Sequence, residues 1–133
     1  MQIQGGEGWR LRLDPERQPF FLLIGGRDWA AELTAPEGQR LQLAIVTLME
    51  QLQLVSERLM PEETIVLEHE CQGLWLELSG WPQRWSLRFV LQDPDGDRGR
   101  LRGLEGGWDA AASMAFAAAL QSLSLPAAMA NPA

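Results

Sequence analysis

The sequence predicts an α+β domain of antiparallel β-sheet in which each strand-rich half is followed by a helix, in the order βββα-ββββα. Three observations predict it. Apolar and polar residues alternate strictly over 9–14, and one face is apolar at every second position over 74–78 and 84–91, the period-two signature of half-buried strands. A stripe of apolar residues at helical spacing runs from Leu41 to Leu59. A second segment, 110–120, is dominated by alanine, the best helix former.

Each element has a local justification. In Trp9-Arg10-Leu11-Arg12-Leu13, the residues Trp9, Leu11 and Leu13 take one face and the two arginines the other. Asp14 to Pro19 carries turn chemistry, because proline presets φ and removes a donor. Phe20 to Ile24 is an apolar run of strand length, Gly25 to Asp28 a turn, and Trp29 to Leu33 a third strand. Thr34-Ala35-Pro36-Glu37 has the form of a capping box with proline in the first turn, so a helix is expected over 35–59. Met60-Pro61 stops it, since a residue before proline avoids helical geometry.

Strands resume at 64–71, 74–78 and 84–91, separated by Gln72-Gly73 and by Ser79 to Gln83. Asp93 to Gly99 reads as a polar loop, Arg100 to Leu104 as a short last strand, and Gly106-Gly107 as a turn. Asp109 is the expected N-cap of the second helix. A single domain is expected over 1–123, with a disordered tail over 124–133. The stretches 8–60 and 62–123 echo each other, as an internal duplication would: Gly-Gly precedes a tryptophan and a helix in both.

Residue supply excludes several chemistries. The chain has 133 residues and a net charge of −7; all 11 bases are arginine, and there is no lysine and no tyrosine. A Schiff base, a phosphate-loop lysine and a phenolic acid or base are therefore impossible. One Cys cannot form an internal disulfide, and one His with one Cys cannot build a zinc site without carboxylates. Nothing resembles a signal peptide or a membrane span, so a cytoplasmic location is the expectation. Asp93-Pro94-Asp95-Gly96-Asp97 begins like a calcium loop, but Arg98 stands where that loop needs glycine and Leu104 where it needs glutamate. His69 and Cys71 share a strand face with Leu67 and are expected to be buried lining rather than a catalytic pair. No catalytic set and no cofactor motif is present, which points away from an enzyme.

Several segments carry a family resemblance: Gly-Trp-Arg-Leu at 8–11, Leu22 to Leu33, Leu74 to Glu77, Trp85 to Leu91 and Glu105 to Trp108. Over roughly residues 6–123 the chain resembles a small uncharacterised family of cyanobacterial and plant-chloroplast proteins. That resemblance implies a Whirly-like fold, with curved antiparallel sheets each followed by a helix. Whirly proteins bind single-stranded DNA, so the resemblance also implies nucleic-acid binding by analogy of fold. The Lys-Gly-Lys type motif of those proteins has no counterpart here, because the chain has no lysine.

The candidate binding residues are Arg10, Arg12, Arg84, Arg88, Arg100 and Arg102 on strands, with Trp75 and Trp81. If the arginines line one sheet, they form a basic groove with stacking platforms for a single strand. The alternative is cross-strand pairing with Glu68, Glu70 and Glu77, which the acidic total favours. Trp75 and Trp81 either mark a partner surface or pack under the second helix. The expectation is a non-catalytic binding or adaptor module, directed at single-stranded nucleic acid or, alternatively, at a protein partner or small ligand in a photosynthetic cell.

Overall fold

The computed structural model describes residues 1–92 and 103–125. Two four-stranded antiparallel sheets are each followed by a helix. The first sheet holds Gln2–Gly6 (β1), Trp9–Leu13 (β2), Leu22–Gly25 (β3) and Ala30–Leu33 (β4), paired in sequence order. Ala35–Ser56 (α1) follows. The second sheet holds Ile65–Cys71 (β5), Leu74–Trp81 (β6), Arg84–Gln92 (β7) and Gly103–Trp108 (β8), and Ala110–Gln121 (α2) closes the order.

The expected order lacked one strand. β1 is polar and glycine-bearing, and four of its five residues are exposed, so no alternation reveals it. It forms because β2 offers an open ladder, with Ile3 opposite Arg12 and Gly5 opposite Arg10. The last strand also differs from expectation. It runs through Gly106 and Gly107 to Trp108, where the sequence suggested a turn. Trp108 is consequently a buried strand residue, and its ring stacks on Phe116 of the following helix.

The signposted features appear as expected. The Thr34 amide donates to the Glu37 carboxylate at 2.8 Å, and the Glu37 amide donates to the Thr34 hydroxyl at 3.4 Å. Asp109 caps α2 by accepting from the Ala112 amide at 3.0 Å. Gln72 and Gly73 both have positive φ, 48° and 85°, which gives the two-residue hairpin turn that matches strand twist.

One continuous core joins the sheets and helices. α1 lies mainly on β5 and β6, while α2 touches β7 and β8 on one side and β1 and β2 on the other. The inner face of the second sheet (Leu74, Leu76, Leu78, Trp85, Leu87, Phe89, Leu91) is buried under the helices. Ser113 in α2 is fully buried and joins three elements: its hydroxyl accepts from the Leu87 amide at 2.8 Å and donates to the Trp108 carbonyl at 2.9 Å. At the chain end, the Gln42 side chain donates to the carbonyls of Leu120 and Leu123. Leu125, within the expected tail, packs on the core; residues 126–133 of that tail lie outside the described residues. None of the described helices is long and apolar enough to cross a membrane.

Candidate partner-binding face of the second sheet

The helices cover one face of the second sheet and leave the other open. Alternation assigns Val66, Glu68 and Glu70 of β5 to the open face, with Trp75, Glu77, Ser79 and Trp81 of β6 and Arg84, Ser86, Arg88 and Val90 of β7. The ladder register sets these side chains in rows across the sheet. Glu68, Glu77, Arg88 and Gly107 form one row, and Glu70, Trp75, Val90 and Glu105 the next.

Arg88 is the centre of the face. Its guanidinium lies 4.9 Å from the Trp75 ring centroid, within cation–π range, and 3.6 Å from the Glu77 carboxylate. Beside it, the short side chains Ser79 and Ser86 and the bare backbone of Gly107 leave a depression of about 300 Å³, bordered by Glu77 and Arg88. Trp81 stands at the end of β6 opposite Arg84 and is 46% exposed. Trp75 and Trp81 are six residues apart on one strand, so about 20 Å separates them and they form no common platform. Neither packs under α2.

The arginines do not gather on one sheet. Arg10 and Arg12 belong to β2 in the first sheet, Arg84 and Arg88 to β7 in the second. Arg100 and Arg102 lie outside the described residues, as does the Asp93 to Gly99 loop. Arg10 is occupied in the fold, donating to the Trp29 carbonyl at 3.0 Å. Arg12 sits between Ile3 and Leu23 across the ladder, and its Nε and Nη2 are shielded from solvent with no hydrogen-bond partner among the described residues. On the open face of the second sheet, Glu68, Glu70, Glu77 and Glu105 lie in the row of Arg88 and the row next to it, while Arg84 stands two rows away from Arg88, opposite Trp81. Among the described residues this face is therefore acidic at its rim, and no contiguous basic stripe crosses it. The cross-strand expectation holds for Glu77 and Arg88; Glu68 faces Glu77 and Glu70 faces Trp75 instead.

Arg27 donates to Asp109 at 3.2 Å, tying the turn before β4 to the cap of α2. The Ala112 amide first, and then the Arg27 guanidinium, hold the Asp109 carboxyl below its ordinary range. His69 is half-buried, and Cys71 is exposed rather than buried; both border a groove between α1 and β5. No group of three or more His, Cys, Asp or Glu among the described residues is placed to hold a metal ion.

Fold and face together define a small two-sheet α+β protein with one uncovered, aromatic-centred sheet surface. The chain belongs to the family described as domain of unknown function DUF1818, whose model matches residues 4–123. It is similar to a protein of unknown function from Prochlorococcus sp. NATL2A, assigned to the DUF155 family and known from a crystal structure. The two share 35% identity with a TM-score of 0.82, over 92% of this chain and 98% of that one. No curated protein matches the chain.

Proposed function

We propose that the chain is a non-catalytic binding module whose open face on the second sheet docks a protein partner. The observation that carries this reading is the Trp75–Arg88–Glu77 cluster beside a shallow depression on a surface that no helix covers. Tryptophan and arginine are the side chains enriched at binding hot spots, and here each holds the other in place. The acidic rim of Glu68, Glu70 and Glu105 favours a partner that brings positive charge around an apolar contact. The cyanobacterial relative supports a photosynthetic cell as the setting.

A photo-crosslinking residue at Trp81 tests this. The expected result, in an extract of the native cells, is capture of one protein in stoichiometric yield, abolished by Arg88→Glu. Equal capture from a control position such as Glu62, or capture indifferent to Arg88→Glu, would overturn it.

A second reading is single-stranded nucleic-acid binding by a Whirly-like fold. The repeated order of four strands and a helix favours it. The rim acids and the absence of lysine oppose it. Anisotropy of labelled single-stranded oligomers at low salt separates the two. Binding that weakens steeply with added salt supports the second reading, and no binding at low salt ends it.

A further inference from the structure

The outward side of α1 belongs to neither sheet. Its two large apolar residues there are Leu43, 62% exposed, and Leu54, 67% exposed. Eleven residues is close to three helical turns, so both stand on one line along the helix, about 16 Å apart. Single exposed leucines are ordinary. What distinguishes this pair is the order of the side chains around it. Along the same stripe come Arg40, Leu43, Thr47, Glu50, Leu54 and Glu57, spaced by three or four residues throughout.

We propose that a second copy of this chain covers this stripe, the two α1 helices packing antiparallel about a two-fold axis at the level of Leu48 and Met49. In that register the stripe is complementary to itself. Leu43 meets Leu54 of the second copy, Thr47 meets Glu50, and Arg40 meets Glu57, each pairing occurring twice by symmetry. The charged groups are available for it. Among the described residues, Arg40 donates over a long 3.5 Å to the Gln72 carbonyl and is in no ion pair, and neither is Glu57.

The surface on either side fits as well. A groove of about 410 Å³ beside Leu43, lined by Pro36, Arg40, His69 and Cys71, receives Leu54 of the second copy. A groove of about 360 Å³ beside Leu54, lined by Val55, Arg58 and Leu59, receives Leu43 in return. A specific interface buries roughly 1,000 Å² or more in total. Two helices of 22 residues, each about 33 Å long, meeting along one stripe make a contact no larger than the lower end of that class. The pairing is therefore a reversible, concentration-dependent dimer.

Light scattering and sedimentation of the full chain test this, with circular dichroism confirming that each variant is folded. The expected mass at high micromolar concentration is twice the monomer's 14.9 kDa. Arg40→Glu and Glu57→Arg each create like-charged contacts at both ends of the pairing and raise the dissociation constant about tenfold or more. Mixing these two variants in equal amounts restores dimers, because in the mixed dimer a glutamate of one variant meets an arginine of the other at both ends. A wild-type chain that stays monomeric overturns the proposal, as does a dimer indifferent to both substitutions or a mixture that fails to re-associate. Cys71 gives an independent readout: its thiol is labelled more slowly in the dimer, and equal labelling at low and high protein concentration counts against the pairing.

Discussion

Trp29 and Trp108 exchange hydrogen bonds between the two sheets. The Trp29 indole N–H, just before β4, donates to the Gly107 carbonyl in β8 at 3.1 Å. The Trp108 indole N–H, at the end of β8, donates to the Gly25 carbonyl in β3 at 2.9 Å. Their rings lie 5.2 Å apart at 58°, and Phe89 and Phe116 extend the cluster, the latter stacked on Trp108 at 4.2 Å. Each Gly-Gly-containing segment thus supplies one acceptor and one tryptophan to the other. The glycines are there for closeness: a Cβ on Gly106 would stand 2.7 to 2.9 Å from three atoms of the Trp29 ring.

Gly106→Ala should therefore cost about 1–3 kcal/mol, the range for overpacking a well-filled site. The Trp29 ring cannot retreat easily, because its N–H is held by Gly107 and its face by Phe89 and Trp108. Gly103→Ala, in the same strand with none of the described residues within 4 Å of the added carbon, is the control and should be close to neutral. Urea denaturation of the two variants checks this, and equal midpoints would refute the close-approach argument.

Ser113→Ala should be among the more damaging single-atom deletions, at about 2–3 kcal/mol. The hydroxyl is the partner of both a buried amide and a buried carbonyl, and alanine leaves Leu87 N–H and Trp108 C=O without a side-chain partner. Ser122→Ala, which removes a contact from an exposed residue to the Ala119 carbonyl one turn back, should change stability by less than about 0.5 kcal/mol. Thermal melts of both variants decide it; similar losses would mean that Ser113 acts only through helix propensity.

The sequence disclosed what depends on neighbours along the chain. The Thr34–Glu37 box, the Asp109 cap and the facing of Trp85, Leu87, Phe89 and Leu91 follow from spacing alone, and the structure has them. Glu77 against Arg88 was legible as one of several pairings, because alternation gives the face but not the register. What the sequence hid depends on contacts distant along the chain. β1 has no pattern of its own and exists by pairing with β2. Gly106-Gly107 looks like a turn because the tryptophan that needs its flatness lies 77 residues earlier, at Trp29. The division of the arginines between sheets is likewise a matter of topology, to which local periodicity is blind.

Arg12→Met should stabilise the protein by about 1 kcal/mol. Two of the guanidinium nitrogens are covered without acceptors among the described residues, and the cross-strand neighbours Ile3 and Leu23 are aliphatic. Methionine keeps the length and apolar stem of the side chain while removing the unsatisfied donors. For a domain of this size, the gain corresponds to a rise in Tm of roughly 2–5 °C. A fall in Tm would show that the Arg12 charge makes a favourable interaction outweighing its missing bonds.

The cap of α2 should make part of the stability depend on pH, with a definite sign. Asp109 is held below the ordinary carboxylate range by the Ala112 amide and by Arg27, so its charged form is favoured in the folded state. A carboxyl whose folded value is depressed stabilises fully above its unfolded value, and that contribution fades as pH falls through the folded one. Asp109→Asn retains an N-cap acceptor for the Ala112 amide but has no charge for Arg27 or for the positive end of the helix. Comparing the two proteins cancels the titration of the other acids. The wild type should melt higher than Asp109→Asn at pH 6, and the gap should narrow steadily toward pH 3. A gap that stays constant over that range would mean that cap geometry, not charge, is what Asp109 contributes.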